Sequence, residues 1–285
     1  MSAAVLTRLR SRRKPRSTTF GPSTWIALSV LGVLLLVAAF GPLLISTDPN
    51  AVNLGQAFLV PTSGHPLGQD SAGRDLFARL IFGTRTAVVG PLLVVALSTV
   101  LGTAIALTSV WFGGALDTVV ARVLDAVFAF PGLLLAILAT ALFGAGLPAA
   151  VIALSVAYTP YLARIVRSAA LRERGMPYIA ALRVQGISSW RINLRHILPN
   201  VGTLIIANAT LSFGFALIDL AGLSFIGLGV QAPTADWGAM VGTGLAGVNQ
   251  GYPEEAIYAS ILIVLTVGAA NMLGDKLTAR SEPRR

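Results

Sequence analysis

Residues 178–200 read "YIAALRVQGISSWRINLRHILPN". Arg183, Arg191, Arg195 and His196 make the stretch basic, yet its apolar residues keep helical spacing. Pro177 suits a first helical position, because its missing N–H has no helical acceptor there. Tyr178, Ile179 and Leu182 then form a small apolar face. Gly186 fits the left-handed residue just past a helix end. Ser188 is placed to N-cap a second helix, with Ile187 and Ile192 as a hydrophobic staple across its start. In that second helix Trp190, Leu194 and Ile197 fall on one stripe at i, i+4 and i+7. Pro199 is expected to begin the segment that follows. The pattern is helix, turn, helix, with an apolar stripe among arginines, and such a stripe marks a surface that docks a partner.

On both sides of this patch the chain is strongly apolar. Of its 285 residues 55% are hydrophobic and only 12% are charged, about half the charged fraction of a soluble domain. Mean hydropathy is +0.77. Runs of about 20 apolar residues, long enough to cross a bilayer, occur near 25–45, 86–112, 118–143, 147–168, 201–223 and 256–274. The chain therefore reads as an all-α polytopic membrane protein with six transmembrane helices. Pro91, Pro131 and Pro160 fall inside these runs, where kinks are tolerated if neighbours satisfy the freed carbonyls. The apolar run after Trp25 is too long for a signal peptide, and no small-residue cleavage site closes it.

The net charge of +9 orients the chain. With the N-terminus inside, 18 of the 21 Lys and Arg residues fall on the cytoplasmic side, in accord with the positive-inside rule. Only Arg74, Arg79 and Arg85 fall outside. The expectation is N-in and C-in, with a cytoplasmic tail over 1–24, a first helix over 25–45 and an external segment over 46–83. A membrane domain of five helices over 84–274 and a short tail over 275–285 complete the chain. No aromatic-interleaved basic surface points to nucleic acid. In the first external segment Leu76, Phe77, Leu80 and Ile81 oppose Arg74, Asp75 and Arg79, which suits a short interfacial helix. The second, 224–255, is rich in Gly and Pro and too apolar for a solvated loop, so it is expected to dip back where protein or a water cavity covers its backbone.

No catalytic constellation is present. There is no cysteine, and His65 and His196 stand on opposite sides of the expected topology, each without a second metal-ligating neighbour. No phosphate-binding G-x-x-x-x-G-K-[ST] loop occurs, so the chain is not expected to be an enzyme. Ionisable residues inside spans are few and costly. Arg122 and Asp125, at i and i+3, are expected to pair. Asp219, near the outer end of the fifth span and without a local partner, either lines a translocation path or reaches the headgroups. Asp125 is the second candidate for such a path.

The 178–200 stretch resembles the EAA loop of ABC importer permeases, in which Glu-Ala-Ala is followed after three residues by Gly and further on by Leu-Pro. Ala181, Gly186, Leu198 and Pro199 match. Ala180 replaces the family glutamate and Leu182 its third position. More narrowly the chain is similar to the C-type subunit of dipeptide, oligopeptide and nickel permeases, through "HPLGQDSAGRDLFARLIFGTR", "DAVFAFPGLLLAI", "AGLSFIGLGVQAPTADWGAM" and "NMLGDKL". Asp219 stands where that family more often has Glu. The resemblance runs from about Leu28 to the C-terminus. It implies a type I importer permease of the bacterial cytoplasmic membrane, with residues 171–200 as the loop that docks the ATPase. It assigns Tyr178, Ala181, Gly186, Trp190, Leu194, Leu198 and Pro199 to that contact. The implied partners are a second homologous permease, two ATPase subunits that bind ATP and Mg, an external substrate-binding protein, and membrane lipid. This chain itself would carry no cofactor. Import of nickel or another small solute is the alternative within the same architecture. A stand-alone secondary transporter or channel would want inverted repeats, which are not evident. A purely structural anchor fits badly with spans punctuated by Gly and Pro.

Overall fold

The computed structural model describes residues 21–281. Most of the basic N-terminal tail and the last four residues, including Arg284 and Arg285, lie outside the described residues. Among the described residues the protein is built of helices, with two isolated β-bridges, Thr62 to His65 and Gln69 to Asp75.

The helices are α1 (Pro22–Leu44), α2 (Leu76–Phe112), α3 (Gly114–Phe128), α4 (Gly132–Phe143) and α5 (Leu147–Arg174). They continue with α6 (Pro177–Val184), α7 (Ser189–Ile192), α8 (Leu198–Phe225), α9 (Trp237–Val248) and α10 (Glu254–Ser281). Five stretches are apolar and long enough to cross a membrane: α1, α2, α5, the continuous run Ser189–Phe225, and α10. A sixth exists if α3 and α4 are counted as one broken span. At about 1.5 Å per residue each covers a hydrocarbon core about 30 Å thick.

Two expected elements differ. Residues 118–143 are not one kinked helix but two, bent by 78° at residues 129–131. Pro131 has no N–H to continue the ladder, and its own backbone leaves the helical region at φ −59° and ψ 124°. The separate interfacial helix expected at 76–81 does not exist, because these residues are the first turns of the 37-residue α2. Asp75 starts that helix by accepting from the Ala78 N–H at 2.6 Å. Leu76 and Leu80 pack inward against Leu217, Trp237 and Met240, so the apolar side meets protein.

α2 packs along α5, and α8 along α10; α2 and α5 each also contact α8. α1 lies outside, against α2 and α10. Val94, Leu154, Ala216 and Leu223 lie in the central core between α2, α5 and α8. α9, at about 18 Å long, is too short to cross and lies against α8 and α10. It comes close because it is glycine-rich: a Cβ on Gly238 would stand 2.4 Å from the Ala221 carbonyl oxygen. Trp237 is fully buried, and its indole N–H donates to the Leu80 carbonyl at 3.0 Å. The second long loop thus folds back onto the bundle with protein covering its helix.

Candidate functional site

Residues 171–200 join α5 to α8 at the end of the bundle where most of the described arginines collect. α6 ends as its sequence requires. Gly186 has φ of +77°, a conformation that costs a residue with a Cβ about 1–2 kcal/mol. The Gly186 N–H reaches the Arg183 carbonyl at 3.0 Å, and the Ile187 N–H reaches the Leu182 carbonyl at 3.1 Å. These two bonds form a Schellman cap, completed by apolar contact between the residues flanking the turn. Leu182 and Ile187 meet in the same cluster as buried Ile179, Ile192, Ile197, Leu107 and Val110. Space around Gly186 is open, so its backbone conformation alone demands glycine.

The second helix is not separate. It runs from Ser189 into α8 as one continuous helix. Ser188 stands at the N-cap but its side chain makes no capping bond. Asn193–Ile197 forms a π-turn, which brings residues five apart onto one side. That turn places Ile192 and Ile197 inward together, and it breaks the expected stripe. Ile197 is buried, whereas Trp190 and Leu194 stay exposed. Trp190 is 51% exposed and meets Trp111 edge-on at 5.4 Å. Val184, which the sequence did not single out, is 90% exposed. Ala181 and Pro199 are exposed and Leu198 is half-buried.

Tyr178 does not join the apolar face of Ile179. Its hydroxyl donates to Glu173 at 2.6 Å, and Asn200 Nδ2 donates to the same hydroxyl at 2.9 Å and to Glu173 at 2.8 Å. Burial, with the bond to Glu173, pushes the phenol up to about 12, so it remains a donor at neutral pH. This triad staples the end of α5 to the starts of α6 and α8. Its residues are scattered over 27 positions, and nothing local in the sequence links them.

The two acidic candidates inside spans also have partners that sequence spacing did not reveal. Asp125 does not pair with Arg122; it accepts from Arg164 of α5 at 2.5 Å, and that guanidinium lies over the Phe128 ring at 4.4 Å. Asp219 accepts from the Tyr158 hydroxyl at 2.9 Å. Asp117, 50 residues away in sequence, pairs with Arg167 at 2.7 Å through Nε.

Residues 98–285 match the family described as binding-protein-dependent transport system inner membrane component. The chain belongs to that family. This permease is 34% identical over 259 residues to a dipeptide transport system permease protein of Alkalihalophilus pseudofirmus, covering 91% of this chain and 85% of the relative. It is 38% identical over 224 residues to a glutathione transport system permease protein of Pectobacterium atrosepticum, covering 79% and 74%. A solved structure of the MetNI methionine ABC transporter in an inward-facing conformation aligns with a TM-score of 0.58 at 19% identity, over 72% of this permease and 97% of that chain. That likeness bears on fold. The family match begins within α2 and covers α3 to α10, so the helices that build the 171–200 loop lie inside it, while α1 precedes it.

Proposed function

We propose that this permease is the membrane-spanning subunit of an ATP-driven importer of dipeptides and oligopeptides, seated in the bacterial inner membrane with both termini inside. It forms half of a translocation path with a second permease, and Asp219 and Asp125 belong to that path. ATP and Mg are bound by two partner ATPases, and an external binding protein delivers the solute. Six spans, with α3 and α4 counted as one, agree with this topology.

The observation that carries the reading is the surface around Gly186. α6 is anchored from beneath by buried Ile179 and closed by a rigid cap. Val184, Trp190 and Leu194 stay outside among Arg183, Arg191 and Arg195. An apolar patch held on a rigid helix and rimmed by cations is a docking surface. With Ala180 in place of an acidic residue, no carboxylate at that position helps the contact, so shape and apolar area carry it. The relatives named for dipeptide and glutathione transport support peptides as the cargo.

The test is co-purification in detergent of the chain expressed with its neighbouring genes. Wild type is expected to bring down an ATPase subunit. The Gly186→Leu, Trp190→Asp double variant is expected to lose it while still reaching the membrane. A wild-type chain that purifies alone and transports in liposomes without ATP would overturn the importer reading.

A further inference from the structure

A polar ladder runs along α5. Tyr158, Tyr161, Arg164 and Arg167 follow at intervals of three residues, so each neighbours the next on the helix surface. Tyr158 meets Asp219 of α8 at 2.9 Å, and Tyr161 donates to Asn208 of α8 at 3.2 Å. Arg164 meets Asp125 of α3, and Arg167 meets Asp117 of α3. The ladder therefore winds from the α8 side of α5 to its α3 side and towards the arginine-rich end. Tyr158 stands about 16 Å along α5 from Leu147, three turns inside a segment long enough to span the bilayer.

Three features make this more than structural polarity. Ionisable groups inside spans face the bundle interior or a water-filled cavity, because lipid cannot solvate them. Yet the Arg164 and Asp125 side chains are 42% and 60% exposed, and Tyr161 is exposed as well. This face is therefore uncovered in the single chain. Lastly, the ladder is uneven in charge. Asp125 and Asp117 each have an arginine, whereas the contact of Asp219 is a neutral phenol, and among the described residues no ion pair includes it.

We propose that this ladder lines the translocation path, and that Asp219, held in place by Tyr158, receives the ammonium group of the solute. The site selects a protonated amine by charge, and the phenol fixes one carboxylate oxygen so that the other faces the path. Tyr161 and Asn208 offer neutral hydrogen-bonding groups next in line, and the two self-neutralised Arg–Asp pairs follow. This deepens the importer reading and rests on it for the direction of travel.

The chain has no cysteine, so an introduced thiol is its only one, and labelling is read on this chain after it is separated from its partners in denaturant. The complex carrying Tyr158→Cys is reconstituted in liposomes and treated with two water-soluble thiol reagents of similar size, methanethiosulfonate ethyltrimethylammonium and methanethiosulfonate ethylsulfonate. The ratio of cationic to anionic rate is expected to exceed that of the same two reagents with a small free thiol by about ten-fold or more, a difference that one nearby charge supplies. Asp219→Asn in the same background is expected to abolish the preference, and Asp219→Glu to keep it. Failure of both reagents to label Tyr158→Cys, or a rate ratio no greater than that of a small free thiol with Asp219 present, overturns the proposal. Uptake of dialanine by the wild-type complex, with Tyr158 intact, is followed in parallel. Charge preference without dialanine uptake supports the ladder and rejects the peptide reading. Uptake without charge preference rejects the ladder and leaves the peptide reading standing.

Discussion

The two ends of the bundle use arginine in opposite ways. At the end carrying residues 171–200, Arg183, Arg191 and Arg195 are exposed, and the structure is held by apolar anchors beneath them. At the other end Arg74 and Arg79 are buried around Asp70, which is 1% exposed. Asp70 takes Arg74 Nε at 2.6 Å and the Ala72 and Arg74 N–H groups at 2.8 and 2.9 Å. Arg79 Nε lies 3.5 Å from the same carboxylate, and Arg79 Nη1 donates to the Pro49 carbonyl at 3.1 Å. One end thus presents charge to the outside. The other spends desolvation on charge to tie the 46–75 segment to α2. An ion pair of the same composition is nearly dispensable when solvated and indispensable once its partners are buried.

Asp70→Ala is the sharpest way to break this contrast. It leaves two buried guanidinium groups without their carboxylate, a loss of about 3–5 kcal/mol. The expected outcome is a large drop in the melting temperature of the detergent-purified complex, or failure to accumulate in the membrane. A variant that melts with wild type would mean that water reaches this cluster.

A smaller effect is expected at Asp236, at the same end. Its carboxylate caps α9 by accepting from the Ala239 N–H at 3.0 Å, but burial pushes it above the usual carboxylate range. The folded chain then holds the proton more tightly than the unfolded chain. The stabilisation is present at acid pH and is lost as pH rises through the folded value. Asp236→Asn keeps a capping side chain and has no proton to lose. Its melting temperature is expected to fall less than that of wild type between acid and neutral pH, as differential scanning fluorimetry over that range would record.

The smallest effect belongs to the solvated arginines. Arg183→Gln with Arg191→Gln is expected to shift stability by no more than about 0.5 kcal/mol. Any loss should appear as weaker ATPase co-purification, largest at low salt and fading as salt rises. A marked drop in melting temperature would show that the two ends are less different than their burial implies.

The reading of Gly186 and of Leu76 shows where sequence reaches and where it stops. Gly186 was identifiable because a left-handed helix stop is a local backbone event, and the cap around it involves residues at most five apart. The long apolar runs were identifiable for the same reason, since their length alone matches a bilayer. Leu76, Phe77, Leu80 and Ile81 looked interfacial because an amphipathic pattern says that one side is polar. It does not say whether that side meets water or a buried carboxylate. Here it meets Asp70 four and nine residues before Arg74 and Arg79. The Trp190 stripe failed for a related reason. Counting at i+4 and i+7 assumes an α-helix throughout, and the π-turn at 193–197 shifts the register by enough to turn Ile197 inward.

By itself the sequence determined the membrane class, the long apolar runs, the glycine stop at 186 in the 171–200 loop, and the absence of thiol chemistry. Each of these follows from composition or from contacts within a turn or two of chain. Only the tertiary structure decided that Asp219 meets Tyr158, that Asp125 meets Arg164 rather than Arg122, and that Glu173, Tyr178 and Asn200 form one staple. Those partners lie 61, 39 and up to 27 residues apart. Which of several available polar groups a buried charge meets depends on how helices far apart in the chain lie against one another, and helical periodicity carries no record of that.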